Sequence, residues 1–192
     1  MTTLAERAYS AADLLEMEDG EAFELEDGVL REHRVGYASE WAAVRLLGKV
    51  DAHAEQHQSG RMVPTNTGLR IFGDDGRSVP RSDGGYISFE RAGDRHFMPR
   101  GYLAIPPELL IESISPTDEM GYMHRKIRRY LDAGVDVVWV LFPDTSTAEV
   151  YHSDGTSTFV PADGYLSGEA FLPGFRCALS EIMPAPYFDA AE

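Results

Sequence analysis

Residues 106–116 read Pro106-Pro107-Glu108-Leu109-Leu110-Ile111-Glu112-Ser113-Ile114-Ser115-Pro116, and this stretch decides the fold. The paired prolines stop whatever precedes them. Glu108 to Ile114 then forms an apolar run of strand length with no clean alternation, the pattern of a central strand covered on both faces. Downstream, Thr117 to Ala133 has helical character, with Thr117 as a possible cap and Gly134 as a stop. Val135 to Phe142 is the most apolar strand in the chain. Strand, helix and strand over 108–142 make one βαβ crossover with a parallel pair.

Working outward, Ser10-Ala11-Ala12-Asp13 is a capping box with Asp in place of Glu, opening a short helix to about Met17. Ala22–Leu25 and Val29–Val35 flank Asp27-Gly28, a two-residue hairpin signal. Residues 36–58 form a long helix in which Trp41, Val44, Leu47, Gly48 and Ala52 share a face. Met62 to Phe72 alternates as a strand through Val63, Leu69 and Ile71. Gly73 to Arg81 is a loop, Tyr86 to Phe89 a short strand, and Arg91 to Gly101 irregular. Ala148–Tyr151 and Thr158–Val160 flank Asp154-Gly155 as a last hairpin, and the remainder is a loop and short helix on the edge. The fold class is α/β with a mixed α+β sheet, entered through an N-terminal helix and hairpin. We expect a single domain over residues 1–192.

The formal net charge of −15 favours solubility and opposes a broad nucleic-acid-binding surface, though it leaves room for a local site. No apolar run reaches the ~20 residues that span a bilayer. Met1 to Arg7 lacks the apolar core of a secretory signal. Cys177 is the only cysteine, so no disulfide framework exists and a reducing cytoplasm fits. It sits among apolar neighbours and reads as packing.

Glu112 is the informative residue, because a carboxylate inside a buried strand is costly unless it is paired or holds a metal. Strand alternation turns it to the side opposite Ile111. Asp83 precedes a short strand in Arg81-Ser82-Asp83-Gly84-Gly85, where the glycines permit close backbone approach. Two carboxylates with waters and a substrate phosphate suit Mg²⁺, which takes few protein ligands. The competing reading makes Asp83 a turn residue and Glu112 an edge-facing charge, and spacing alone leaves both standing. Lys126 flanks the apolar face of the third long segment (Met120, Met123, Ile127, Leu131). It either leans toward the sheet end or snorkels at the boundary. Arg125, Lys126, Arg128 and Arg129 either meet a phosphate backbone or offset local acidity. Asp118 and Glu119 suit a helix N-terminus electrostatically and are not read as site residues. His53 and His57 share a helix face without a third ligand, which points to a structural or solvated role.

Taken together, the ordered motifs resemble the Uma-two family of the PD-(D/E)XK nuclease superfamily. They are Tyr9-Ser10 with Asp13-Leu14-Leu15, Phe23-Glu24-Leu25-Glu26-Asp27-Gly28-Val29-Leu30, Arg81 to Ile87, Pro106 to Pro116, Lys126 with Tyr130 and Ala133-Gly134-Val135, and Val138-Trp139-Val140. The resemblance implies a restriction-endonuclease-like core over about residues 21–152. It implies that Asp83 and Glu112 hold Mg²⁺ or Mn²⁺ with the Ser113 carbonyl. It implies that Glu24 adds a third carboxylate and that Lys126 substitutes for the lysine missing from the strand. The activity implied is metal-dependent endonuclease or phosphodiesterase action on nucleic acid, with DNA as partner. The alternative is an inactive protein of the same fold that binds or scaffolds, and a homodimer is implied by analogy. The chain departs from the pattern in three places. Ser82 stands where a proline is expected, and Ile114 stands two residues after Glu112 where a lysine is expected. The histidine expected at the start of the long helix is replaced by the stretch Ser39-Glu40-Trp41.

Overall fold

The computed structural model describes residues 8–33, 36–115 and 118–185. The proposed cap Thr117 lies outside the described residues, as does the end of the stretch Val29–Val35.

Helix α1 (Ala11–Glu16) opens on Ser10, whose capping box with Asp13 is complete. The hairpin strands β1 (Phe23–Glu26) and β2 (Val29–Glu32) follow. Asp27 and Gly28 both have positive φ, 51° and 89°, as a tight two-residue turn requires. Helix α2 (Tyr37–His57) leads into β3 (Gly60–Val63), β4 (Thr67–Gly68), β5 (Arg81–Ser82) and β6 (Gly84–Ser88). After the short α3 (Phe89–Ala92) come β7 (Leu109–Ser113), α4 (Met120–Asp132) and β8 (Val137–Phe142). The chain closes with β9 (Thr147–His152), β10 (Ser157–Val160), β11 (Tyr165–Ser167) and β12 (Arg176–Ala178).

Six strands form one mixed sheet in the order β10-β9-β8-β7-β6-β3, with β7 and β8 parallel and the other pairs antiparallel. The crossover expected over 108–142 is therefore present at the middle of the sheet. Every residue of β7 is buried. Leu109 and Ile111 pack into a core shared with Ala42, Leu46 and Val50 of α2. Leu110 faces the opposite core, with Met123, Ile127 and Tyr130 of α4. By the period of two, Glu112 shares the α4 face.

Three expectations need correction. The buried face of α2 is Ala42, Ala43, Leu46, Leu47, Val50 and Ala54, so of the expected face only Leu47 is buried, while Trp41 and Val44 are 41% and 49% exposed. The alanines share that face with Leu46, Leu47 and Val50, which reach the core of the sheet. The strand expected over Met62–Phe72 breaks after Val63, because Asn66 turns at φ 58°; Thr67–Gly68 resumes as a short strand and Leu69 makes a single bridge with Leu103. The C-terminal stretch is not a plain loop: β11 and β12 pair, and Leu166, Leu172, Phe175 and Cys177 complete the α2-side core. Among the described residues no helix is long and apolar enough to cross a membrane.

Candidate functional site

Asp83 lies between β5 and β6. Its N–H donates to the Ile111 carbonyl (3.0 Å), and its Oδ2 accepts from the Ser113 N–H (2.7 Å). The next residue explains why the chain turns here. Gly84 has φ 147°, and a Cβ on Gly85 would stand 2.2 Å from the Leu109 carbonyl oxygen. Glycine therefore lets β6 come against β7 and sets Asp83 beside Glu112.

Glu112 is held from α4. Lys126 Nζ donates to one carboxylate oxygen (3.0 Å) and Tyr130 Oη donates to the other (2.9 Å). Lys126 and Tyr130 are four residues apart and so lie on one helix face. Lys126 is 6% exposed, which overturns the boundary-lysine reading. Its ammonium also donates to the Arg81 carbonyl (2.7 Å) and pairs with Glu24 Oε1 (2.8 Å). Glu24 comes from the hairpin and is 4% exposed. It accepts from the Arg81 N–H (2.7 Å) and from Tyr122 Oη (2.5 Å). Arg81 in turn ties the hairpin down, its guanidinium donating to the carbonyls of Phe23, Asn66 and Gly20.

All four side chains singled out from sequence thus meet around one cavity of about 240 Å³, which Ser113, Ser39, His33, Asp118 and Glu119 also line. Asp118 and Glu119 are accordingly rim residues as well as helix-terminal ones. A larger groove of about 910 Å³ runs by the outer edge of β3 and contains none of the four.

The electrostatics are unbalanced. Two buried carboxylates, Glu24 and Glu112, and the half-buried Asp83 face one buried ammonium. Burial pushes Glu112 up to about 8, and Lys126 only partly offsets it while Asp83 and Glu24 add to it. Burial likewise raises Asp83 against the pull of Lys126. Burial would also raise Glu24, but the charge and hydrogen bond of Lys126, with Tyr122 and the Arg81 N–H, outweigh it and hold Glu24 low. Burial would lower Lys126, yet Glu112 and Glu24 together keep it well above an ordinary lysine and firmly charged. The site therefore has cation demand left over. Ser113 Oγ is buried without a hydrogen-bond partner beside Asp83, a further polar atom without satisfaction. Carboxylate, hydroxyl and carbonyl oxygens are the donor chemistry of Mg²⁺ or Mn²⁺. This donor set fits such an ion, with waters and substrate completing the shell. Among the described residues no group of three or more His, Cys, Asp or Glu side chains forms a ready-made metal shell.

Sequence reasoning missed Arg81, Tyr122, Tyr130 and His33 as parts of the site. Tyr122, Lys126 and Tyr130 recur every four residues, so a ridge of polar tips on an otherwise apolar helix face was the available signal. The imidazole near the site comes from His33, whose Nδ1 is 3.8 Å from Glu24, and not from the start of α2. The basic cluster on α4 disperses. Lys126 is buried, Arg129 bonds Ser78, Arg128 pairs with Asp132, and Arg125 donates back to the Gly121 carbonyl of its own helix. His53 and His57 stack with centroids 4.1 Å apart, and His53 Nε2 bonds the Pro173 carbonyl.

Comparison with known proteins places these features in a family. The Uma2 family model, described as "Putative restriction endonuclease", matches residues 11–180. The fold is similar to the crystal structure of a protein from Anabaena variabilis described as "a putative nuclease belonging to DUF820". Its TM-score is 0.71 at 17% identity, and the match covers 91% of this chain and 97% of that one. No curated protein matches the chain.

Proposed function

Because the chain belongs to the Uma2 family of restriction-endonuclease proteins, we propose that it is a metal-dependent nuclease that hydrolyses phosphodiester bonds of DNA in a reducing cytoplasm. The observation that carries this reading is the convergence of Glu24, Asp83 and Glu112 on a single buried ammonium, with Glu112 pushed to about 8. Asp83, Glu112 and the Ser113 carbonyl would hold Mg²⁺ or Mn²⁺. When bound, that ion supplies an activated water and a positive charge for the phosphoryl oxygens.

The chain's own residues do the rest. The Ser113 N–H fixes the Asp83 carboxylate, and Tyr130 and Lys126 fix Glu112, so both acids are held before substrate arrives. Lys126 stays cationic through neutral pH, which makes it an electrostatic stabiliser of developing charge and not a base. Glu24, Tyr122 and the Arg81 N–H hold that ammonium in place.

Supercoiled plasmid and single-stranded DNA incubated with Mg²⁺ or Mn²⁺ test the proposal. Cutting is expected from the native chain and lost in Asp83→Ala and Glu112→Ala. Equal cutting by both variants would falsify the assignment of the site.

A second reading, a binding or scaffolding protein without cleavage, is supported by one observation. Lys126 already makes three bonds inside the protein, to the Arg81 carbonyl, Glu112 and Glu24, one for each of its protons. Titration calorimetry with Mn²⁺ separates the two, because absence of binding at millimolar metal selects the scaffold.

A further inference from the structure

The six-stranded sheet ends on β3, and the outer main chain of that strand is open. The Phe89 N–H donates to the Ser59 carbonyl (3.0 Å), so Ser59 and Phe89 form a hydrogen-bonded pair. Bonded and non-bonded pairs alternate in an antiparallel ladder. The register therefore makes Arg61 with Ile87 and Val63 with Gly85 the next bonded pairs. Gly60 and Met62 turn their N–H and C=O away from β6. Among the described residues no hydrogen bond meets Met62 on that side. An open row of this kind is a template for another strand.

This edge lies in the groove of about 910 Å³, and the two walls of the groove carry opposite charge. Strand alternation puts Arg61 on the face of Val63 and Ile87, which pack with Phe97 and Leu103. There the guanidinium groups of Arg61 and Arg95 each stand 5.7 Å from the centre of the Phe89 ring. The Nε of Arg61 is buried without a hydrogen-bond partner. The other wall is the C-terminal part of α2, with Asp51 and Glu55. Among the described residues none of these four charged side chains makes an ion pair.

Three demands are thus open together: main chain at the edge, two guanidinium groups on one side and two carboxylates on the other. A single nucleic-acid strand would satisfy the arginines. Its phosphates would be repelled by Asp51 and Glu55, and it would leave the main chain of Met62 unpaired. An extended peptide answers all three, because its main chain continues the ladder and its side chains alternate between the walls. We propose that the outer edge of β3 is a docking site for an extended segment of a partner protein. The segment carries acidic side chains on the strand face turned to Arg61 and Arg95, and basic ones on the face turned to Asp51 and Glu55. The groove holds none of Glu24, Asp83, Glu112 and Lys126, so docking is independent of the chemistry in the acidic cavity.

Fluorescence anisotropy of a labelled eight-residue peptide with the full chain in EDTA tests this. The peptide has valine and glutamate alternating along one face, and lysine and threonine along the other. Saturable binding of one peptide per chain is expected, with slowed hydrogen exchange at the Met62 amide. An isomer of the same composition with glutamate and lysine on one face binds more weakly. Met62→Pro removes the outward N–H but no bond of the β3–β6 ladder, so the melting temperature stays near that of the native chain. Arg95→Glu changes an exposed side chain. Each variant weakens binding by about tenfold or more. No binding at millimolar peptide overturns the proposal, as does equal binding of the two isomers or undiminished binding by both folded variants. Oligothymidylate that binds the native chain and not Arg95→Glu, while the peptide does not bind, makes the groove a nucleic-acid contact and overturns it. A doubled mass in sedimentation that Met62→Pro abolishes gives the edge to a second copy and overturns it equally.

Discussion

Glu112 and Lys126 show how much depends on a single pair of side chains. Removing the ammonium leaves the ionised Glu24 buried without its counter-charge and Glu112 without a hydrogen-bond donor. Lys126→Ala is therefore expected to cost about 3–5 kcal/mol near neutral pH, measured by urea unfolding. The loss should shrink as pH falls and Glu24 takes up its proton. Glu112 has the opposite sign of linkage from an ordinary salt-bridged acid. Its folded value of about 8 lies above the ordinary glutamate value of 4.5, so the folded state holds a proton that the unfolded state releases. Its contribution is undiminished below pH 4.5 and declines as pH rises toward 8, by a few kcal/mol in all. Glu112→Gln should flatten that decline in urea melts run between pH 5 and pH 8 without metal. A variant whose stability still falls as steeply as the native chain's would show that another group titrates there.

At the scale of elements, the site depends on the approach of β6 to β7. Gly85→Ala places a methyl 2.2 Å from the Leu109 carbonyl oxygen, a main-chain atom of the neighbouring strand that cannot swing aside. Overpacking of this kind costs about 1–3 kcal/mol or more. It should also separate Asp83 from Ser113, so thermal stability and metal affinity fall together in calorimetry. Helices and turns were the legible elements. The capping box at Ser10, the Asp27-Gly28 turn and the buried run at Leu109 each carry a local cause that the sequence states outright. The break after Val63 was not legible, because an alternating apolar pattern continues past it and only Asn66 in a left-handed turn interrupts the ladder. The contacting face of α2 was misread for a related reason. Two apolar stripes compete on that helix, and the core that Leu46, Leu47 and Val50 reach decides which one meets the sheet.

At the scale of the molecule, the residual negative charge of the site adds to a net charge of −15. A divalent ion that binds only the folded state stabilises it by RT ln(1 + [L]/Kd). Millimolar Mn²⁺ should raise the melting temperature of the native chain by several degrees and leave Asp83→Asn with Glu112→Gln unmoved. We further expect one cooperative transition in calorimetry, as a single domain over residues 1–192 requires. Two separated transitions would divide the chain.

Taken by itself, the sequence determined the central strand, the crossover, the first hairpin and the suspicion attached to Asp83 and Glu112. These follow from local periodicity, turn chemistry and the cost of an acid inside an apolar run. Only the tertiary structure decided that Lys126 is buried between Glu24 and Glu112, that Arg81 ties the hairpin to the site, and that Trp41 faces outward. Those facts come from segments 14 to 102 residues apart meeting in space, and pairing across such distances is set by packing of the whole core, which no local pattern encodes.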